Sequence, residues 1–237
     1  MTGKLLVTVL TYNEGEKLKA LVDRFSDAQN YQLLFVDDGS TDTTATFLYD
    51  QGYEVICHDH NRGVGAGIRT AVHWARSRGF EIIVIMAGNG KMQPEEIPRL
   101  VRPIVENQAD YVQGSRYLEG ARSPNLPLFR KIMIRLFTTI VNLATGFKGT
   151  DLTCGFRAYR LDLFDHSDID IDQDWLDRYE MEYYIHYKAL KHRFRVVEAA
   201  VSMVYPSEGK DYSKIKPFVG WWSMIRPWVF LLLRLRK

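Results

Sequence analysis

The first half of the chain alternates between two hydrophobic patterns. Short runs of Val, Ile and Leu are separated by segments in which apolar residues recur every three or four positions. The runs are typical of strands buried on both faces, and the longer period is typical of helices that cover such strands. The strands predicted in this way are Lys4–Leu10, Gln32–Val36, Tyr53–Cys57, Glu81–Met86 and Asp110–Gly114. This order predicts an α/β fold with a doubly wound, mostly parallel sheet that carries helices on both faces.

Local signals indicate where some helices begin. Asn13 followed by Glu16 predicts an N-cap with a capping box. The glycines of 63–67 follow the third strand rather than the first, so we expect close helix packing against the sheet rather than a dinucleotide site. The second half is less regular. Its periodicity predicts helices over about 127–144 and 175–192 and a strand over 195–205.

Three of the predicted strands end in clusters of polar residues, which are Thr11–Glu14, Asp37–Asp42 and Ala87–Lys91. Each cluster alone is typical of a turn, because Asn, Asp, Ser and Gly favour turns and caps. The carboxyl ends of parallel strands meet at one edge of a sheet, where open α/β folds bind their ligands. Three such clusters together therefore indicate a binding site at that edge.

Five short motifs are spread along the chain between about Leu5 and Tyr205. They are Thr11-Tyr12-Asn13-Glu14, Val36-Asp37-Asp38-Gly39-Ser40-Thr41-Asp42, Asn61-Arg62-Gly63-Val64-Gly65-Ala66-Gly67, Gly114-Ser115-Arg116-Tyr117 and Asp151-Leu152-Thr153-Cys154-Gly155-Phe156-Arg157. In order and spacing this series resembles glycosyltransferase family 2, and most of all its branch similar to dolichol-phosphate mannose synthase. The resemblance implies a GT-A fold and an enzyme that transfers a sugar, with inversion, from a nucleotide diphosphate sugar to a lipid-linked phosphate or a glycan.

The resemblance also implies which residues form the site. The nucleotide would lie against residues at or just after the ends of the first, second and fourth strands, which are Leu10, Thr11, Tyr12, Glu14, Asp37, Asp38, Gly88 and Asn89. Its phosphates would be held by cationic residues, which are Arg116, Arg130, Lys210 and Lys214. Carboxylates accept charge-assisted hydrogen bonds from bases and ribose hydroxyls, and a cationic clamp stabilises a diphosphate leaving group.

The segment after the fourth strand departs from the family pattern. The family places Asp-x-Asp there to hold a divalent metal, whereas this chain has Ala87-Gly88-Asn89, with Lys91 two positions further on. Asn89 offers Mg²⁺ or Mn²⁺ only a neutral oxygen, so a metal held through Asn89 and no metal at all both stay open. The formal charge changes by +3 relative to the pattern, which predicts that Lys91 replaces the metal as a catalytic residue. The alternative is a non-catalytic module that binds a nucleotide sugar and serves a membrane partner.

Candidates for a base on the acceptor side are Asp151, Glu180 and Glu182. A hydroxyl acceptor requires a base, whereas a phosphate acceptor is already an anion. Glu180 and Glu182 point about 200° apart on a helix, so at least one is expected to be a solvated charge. We expect Asp151 to act on the acceptor side. The segment His58-Asp59-His60 has no third ligand group nearby, which favours a solvated loop over a metal site.

Charge is distributed unevenly along the 237 residues. The formal net charge is +2, but the residues from Gly209 onward carry +6 and the rest −4. The same tail contains Trp221, Trp222 and Trp228. Basic and aromatic residues together predict that 214–237 lies in a membrane interface as an amphipathic tail, with a homo-oligomer contact as the alternative.

Composition limits the remaining possibilities. With 46% hydrophobic and 25% charged residues the chain is not disordered, and no nucleic-acid motif accompanies the basic tail. It has two cysteines and no apolar run near the ~20 residues of a membrane span, and we do not expect the short run Leu5–Leu10 to be a signal peptide. We therefore expect a cytoplasmic protein, peripheral at the inner face of the membrane. The expected domains are a glycosyltransferase domain over 1–208, whose nucleotide-sugar and acceptor halves meet near 117, and the tail over 209–237.

Overall fold

The computed structural model describes residues 4–25, 30–205, 219–233 and 235–236. Within these ranges one sheet contains seven strands, which are β1 (Leu5–Thr11), β2 (Gln32–Asp37), β3 (Val55–Cys57), β4 (Ile82–Ala87), β5 (Tyr111–Ser115), β6 (Arg157–Arg160) and β7 (Val196–Ala200). Their order is β3-β2-β1-β4-β6-β5-β7. β6 is antiparallel to both neighbours, and the other pairs are parallel. The predicted α/β fold with a mostly parallel sheet is confirmed.

The helices of the described residues are α1 (Glu16–Val22), α2 (Thr44–Asp50), α3 (Val64–Ser77), α4 (Ile97–Val105), α5 (Leu128–Thr145), α6 (Glu180–Lys191) and α7 (Val219–Leu232). α5 confirms the helix predicted over 127–144. The helix predicted over 175–192 is shorter, because 174–176 forms a separate 3₁₀ turn before α6 begins. None of the described helices is both long and apolar enough to span a bilayer.

Both faces of the sheet are covered, as strands with apolar residues at every position require. On one face Leu6 and Ile83 pack against α3 and α6. On the other, Val7 and Val84 pack against α1 and α4. Burial of each such side chain stabilises the fold by about 1.5–3 kcal/mol. The prediction of helices on both faces is therefore confirmed.

A third apolar cluster joins the helices of the second half. Phe137 of α5, Tyr183 of α6 and Trp228 of α7 are buried against one another. This cluster attaches α7 to the side of the sheet that α6 covers. The division of the chain at residue 208 stays a prediction.

β6 has no counterpart among the predicted strands. Its sequence is Arg-Ala-Tyr-Arg, so no apolar run marks it. The strand pairs with β4 and β5, and the buried Arg157 donates to the carbonyl oxygens of Cys154 and Glu182. Long-range pairing, rather than local pattern, therefore determines this strand.

The predicted capping box at Asn13 is wrong. α1 begins at Glu16 after Gly15, and no side chain caps it. Asn13 has a φ of 49°, and its Oδ1 accepts a hydrogen bond from the backbone N–H of Thr41 at 2.8 Å. Asn tolerates this left-handed conformation better than most residues. The side chain therefore ties together the loops after β1 and β2 instead of starting the helix.

Candidate active site

The three polar clusters lie side by side at the carboxyl edge of the sheet. β1 is parallel to both β2 and β4 and lies between them, so all three strands end at this edge. Thr11 links the clusters, because its hydroxyl donates to Asp37 Oδ1 at 3.1 Å and its Cγ2 would lie 2.7 Å from a Cβ at position 88. Gly88 is required there since any side chain would collide with β1. The predicted meeting of the clusters is confirmed.

Asp37 organises the loop that follows β2. Its Oδ1 accepts a hydrogen bond from the Ser40 hydroxyl at 2.5 Å, and its Oδ2 accepts one from the Ser40 backbone N–H at 2.9 Å. Ser40 Oγ in turn accepts from the backbone N–H of Asn13 at 2.8 Å. The carboxylate thus fixes the shape of the edge between the first two strands. Its predicted contact with a nucleoside stays a prediction.

Asp38 holds the loop between β3 and α3. Its two carboxylate oxygens accept hydrogen bonds from the backbone N–H groups of Arg62 and Gly63 at 2.9 and 2.8 Å. His58 Nδ1 lies 2.8 Å from Asp38 Oδ1, and His58 Nε2 lies 2.9 Å from the Thr70 hydroxyl. The expectation of a solvated loop is therefore wrong for His58, whose side chain is buried between these partners.

The glycines that follow this loop allow two close approaches. A Cβ on Gly65 would lie 1.9 Å from the carbonyl oxygen of Leu176, so α3 starts directly against the segment before α6. A Cβ on Gly67 would lie 3.2 Å from Leu10 Cδ2 on β1. The predicted packing against the sheet holds for Gly67, whereas Gly65 packs against a segment that sequence reasoning did not identify.

Arg116 and Asp151 form a buried ion pair behind the edge. Arg116 Nε lies 2.6 Å from Asp151 Oδ2 and Nη2 lies 2.8 Å from Oδ1, with side-chain exposures of 1% and 0%. Burial alone would raise the pKa of Asp151, but the charge and hydrogen bonds of Arg116 outweigh it and lower the pKa. Asp151 is therefore ionised at neutral pH. The role expected for Arg116 at the phosphates and that expected for Asp151 on the acceptor side both stay predictions.

Tyr205 brings this ion pair together with two further cations. Its hydroxyl accepts a hydrogen bond from Arg116 Nη1 at 2.7 Å. Lys91 Nζ and Arg130 Cζ each lie 5.7 Å from the centre of its ring, within the range of a cation–π contact. Sequence reasoning missed Tyr205, because an aromatic residue at the end of a predicted strand gives no sign of distant partners.

Glu180 and Glu182 are both buried, and the expectation that one is a solvated charge is wrong. Glu180 Oε1 lies 2.5 Å from Arg226 Nη2 of α7, and Glu182 Oε1 lies 3.4 Å from Arg157 Nε of β6. Burial raises the pKa of both carboxyls, although the arginines oppose the shift. The two side chains do point apart, but each one meets its own arginine inside the protein.

The residues after β4 do not fit a divalent cation. Ala87 has no ligand atom, and Asn89 Oδ1 accepts a hydrogen bond from the backbone N–H of Lys91 at 3.2 Å. Over the described parts of the chain, no group of three or more His, Cys, Asp or Glu side chains could hold a metal ion. Hard cations such as Mg²⁺ favour several carboxylate oxygens. Of residues 87–91, Asn89 alone offers a side-chain oxygen, and a metal held through Asn89 stays a prediction.

The other predicted nucleotide ligands lie at the end of β1 and in the loop after it. Leu10 and Tyr12 are half-buried, and Glu14 is buried, with its backbone N–H donating to the Thr44 hydroxyl at 3.1 Å. Lys210 and Lys214 lie outside the described residues, as do positions 214–218 of the predicted interfacial tail.

Comparison with known proteins identifies the family. The sequence model described as "Glycosyl transferase family 2" matches residues 6–167, which run from the second residue of β1 past the end of β6 and include the polar edge. The chain belongs to this family. The resemblance of the five motifs is thereby confirmed, and the protein is a glycosyltransferase.

Relatives and solved structures agree with this assignment to glycosyltransferase family 2. The chain is 30% identical to an undecaprenyl-phosphate mannosyltransferase from Micrococcus luteus, over 88% of this chain and 86% of the relative. It is 31% identical to a polyprenol monophosphomannose synthase from Mycolicibacterium smegmatis, over 85% of this chain and 77% of the relative. A glucosyl-3-phosphoglycerate synthase from Mycobacterium tuberculosis, in complex with Mn²⁺, UDP and phosphoglyceric acid, has the same fold, with a TM-score of 0.68, 13% identity, and coverage of 95% of this chain and 78% of that one.

Proposed function

We propose that this family 2 glycosyltransferase moves a hexose from a nucleotide diphosphate sugar to a lipid-linked phosphate at a membrane surface. The observation that carries the proposal is the gathering of Lys91, Arg116 and Arg130 around Tyr205. Cations at this place suit a diphosphate leaving group, whose charge grows as the bond to the sugar breaks. The names of the two mannosyltransferase relatives, which refer to undecaprenyl phosphate and polyprenol, support the acceptor class.

The nucleoside would bind where the loops after β1 and β2 meet. Tyr12 is half-buried there and offers a ring to a base, while Asp37 and Asp38 supply carboxylates to base N–H groups and ribose hydroxyls. The hydrogen bonds from Ser40 and from the loop at 58–63 hold these carboxylates in place before a ligand arrives. Preorganisation of this kind lowers the cost of ordering a site on binding.

Lys91 would take over the electrostatic task that a metal performs in other members of the family. It lies in the loop that follows β4, two residues beyond Asn89, and the described part of the chain contains no group of His, Cys, Asp or Glu side chains that could hold a metal ion. An ammonium directed at the diphosphate stabilises the charge that develops there in the transition state. Arg130 would assist from α5 on the same ring of Tyr205.

The state of the acidic side chains supports a phosphate acceptor. Asp151 is ionised but bonded to Arg116, and Glu180 and Glu182 each face an arginine. None of these three therefore stands ready as a free base. An acceptor phosphate oxygen needs none, because it is already anionic. It would form the bond to the anomeric carbon while the bond from that carbon to the diphosphate breaks, and the nucleoside diphosphate leaves with the electron pair.

Two helices would place the enzyme on the membrane at the inner face. α5 exposes a stripe of apolar side chains, 52–83% accessible, which are Leu128, Phe129, Ile132, Leu136, Ile140 and Leu143. α7 exposes Trp222, Ile225 and Leu232. Both helices pack through Phe137 and Trp228 into one cluster, so the two exposed faces lie on neighbouring helices. Extended apolar surface beside basic residues such as Lys131 favours an interfacial site.

A transfer assay tests the proposed activity. The full chain is incubated with UDP-, GDP- and dTDP-hexoses and with a short polyprenyl phosphate in detergent or vesicles, and glycolipid formation is measured. We expect transfer from one of these donors. Nucleotide binding with no turnover on any lipid phosphate would contradict the proposal and leave the non-catalytic binding module.

Vesicle sedimentation tests the membrane surface separately. The double variant Ile132→Ser with Leu136→Ser replaces two exposed residues of α5 and should lower binding to anionic vesicles about tenfold. The reason is that burying each apolar side chain in the membrane contributes favourable free energy. Tyr49→Ser on α2, also an exposed position, is the matched control. Equal binding of both variants, or a change only in oligomeric state, would favour a contact between copies of the chain.

A further inference from the structure

Tyr205 lies at the point where the cations of the proposed phosphate site come together. Lys91 comes from the loop after β4, Arg130 from α5 and Arg116 from the end of β5, so the three are far apart in sequence. Each of them contacts the same tyrosine, two at the ring and one at the hydroxyl. The side chain itself is only 2% exposed. It therefore reaches the substrate through its neighbours rather than directly.

We infer that Tyr205 is a positioning residue, whose ring sets the spacing of Lys91 and Arg130 for the two phosphates of the donor. The inference rests on the proposed function. Two cations near one site repel each other when no phosphate is bound. The face of an aromatic ring attracts cations and offsets this repulsion in the empty site. The ammonium and the guanidinium then keep their positions before the diphosphate enters.

The orientation of the ring is fixed by a chain of hydrogen bonds. Arg116 donates to the Tyr205 hydroxyl and at the same time to Asp151 and to the Thr153 hydroxyl. The carboxylate of Glu198 on β7 accepts hydrogen bonds from the backbone N–H groups of Thr150 and Asp151, at 2.8 and 2.9 Å. The Arg116–Asp151 pair is therefore held from the sheet, and it holds the tyrosine in turn. The Arg116–Asp151 pair is almost fully buried, and holding Tyr205 in place is the role that we assign to it.

The ring and the hydroxyl can be separated by substitution. Tyr205→Phe keeps the ring against Lys91 and Arg130 and removes the bond to Arg116, whereas Tyr205→Leu removes both. Phe164→Leu is the matched control, because it deletes a buried ring next to β6 at the opposite edge of the sheet. Calorimetric titration with UDP and GDP, and with uridine and guanosine, measures how much affinity the diphosphate adds to the nucleoside.

We expect Tyr205→Leu to weaken binding of the preferred nucleoside diphosphate about 3- to 30-fold, as the loss of cation–π contacts implies, with the affinity for the nucleoside unchanged. The value of kcat should fall with it. Tyr205→Phe should retain most of the diphosphate affinity, and Phe164→Leu should retain all of it. A merely structural role would lower both affinities together or neither.

Two further variants separate failure of the inference from failure of the proposed function. If Lys91→Met and Arg130→Met weaken diphosphate binding but Tyr205→Leu does not, the positioning role is wrong and the phosphate site stands. If none of the three variants changes the affinity that the diphosphate adds, both are wrong. Equal losses for diphosphate and nucleoside in Tyr205→Leu would also overturn the inference.

Discussion

The nucleoside side and the phosphate side that we propose for the candidate site are built in different ways. On the nucleoside side, after β1 and β2, the carboxylates of Asp37 and Asp38 are held by backbone N–H groups and hydroxyls of the adjoining loops. On the phosphate side, after β4 and β5, Arg116 meets Asp151 and Tyr205, which come from distant parts of the chain. The first side depends on loop geometry and the second on balanced buried charge. The two sides should therefore respond differently to substitution.

The largest effect is expected on the phosphate side, from Asp151→Asn. The substitution leaves Arg116 buried without its counter-charge, which costs about 3–5 kcal/mol in the free energy of unfolding. Urea unfolding measures this loss. The control Asp165→Asn disrupts the exposed pair with Arg76 and should cost at most about 1 kcal/mol. Similar losses for the two variants would show that the buried pair does not stabilise the second half of the fold.

A smaller effect is expected on the nucleoside side, from Asp37→Ala. Losing a charged hydrogen-bond partner should weaken nucleotide binding by about 1.5–3 kcal/mol. Calorimetry with nucleosides as well as diphosphates makes the comparison direct, since this variant should weaken both ligands alike. The exposed Asp50→Ala on α2 serves as the control. Unchanged affinity for every nucleotide tested would refute the assignment of Asp37.

The smallest effect is expected in how the free energy of unfolding changes with pH. Burial raises the pKa of Glu182 above its ordinary value of 4.5, so the folded state binds more protons than the unfolded state above that pH. The stability linked to Glu182 is thus full below pH 4.5 and is lost as the pH rises through the raised pKa. The pH dependence linked to Asp151 has the opposite sign. Because its pKa is lowered in the folded state, the stability that it contributes is lost as the pH falls below 3.8.

In Glu182→Gln the free energy of unfolding should therefore decline less steeply above pH 4.5 than in the natural sequence. The loss of stability below pH 3.8, which comes from Asp151, should stay. Urea unfolding at a series of pH values provides the measurement. A slope above pH 4.5 that equals that of the natural sequence would mean that Arg157 already keeps Glu182 ionised. The difference in unfolding free energy between the variant and the natural sequence at one pH is not informative, because the substitution also removes the partner of Arg157.

The same contrast explains what the sequence could predict. Strands β1, β2 and β4 are apolar runs that end in turn-forming residues, so both their existence and their shared edge follow from local pattern. β6 does not, because its register is set by β4 and β5. Tyr205 and the buried partners of Glu180 and Glu182 likewise depend on contacts between distant segments.

α5 lies between these two cases. Its period predicts the helix correctly, but it does not distinguish the residues that enter the core from those that stay exposed. Phe137 is buried against α6 and α7, whereas the neighbouring Leu136 is 52% exposed. That distinction depends on the position of α6, which no pattern within α5 encodes. The apolar residues of α5 cover more of the helix surface than one core-facing stripe requires. That excess is the signal that could have indicated an interfacial face.

The central claim is that Lys91, and not a carboxylate-bound metal, stabilises the leaving diphosphate. It is tested most directly by measuring sugar transfer with and without a chelator for the natural sequence, for Lys91→Met and for the exposed control Lys191→Met on α6. We predict that chelation has little effect, that Lys91→Met lowers turnover about 10²- to 10³-fold without changing the melting temperature, and that Lys191→Met is unaffected. Complete loss of activity on chelation, together with a near-normal Lys91→Met enzyme, would contradict the account.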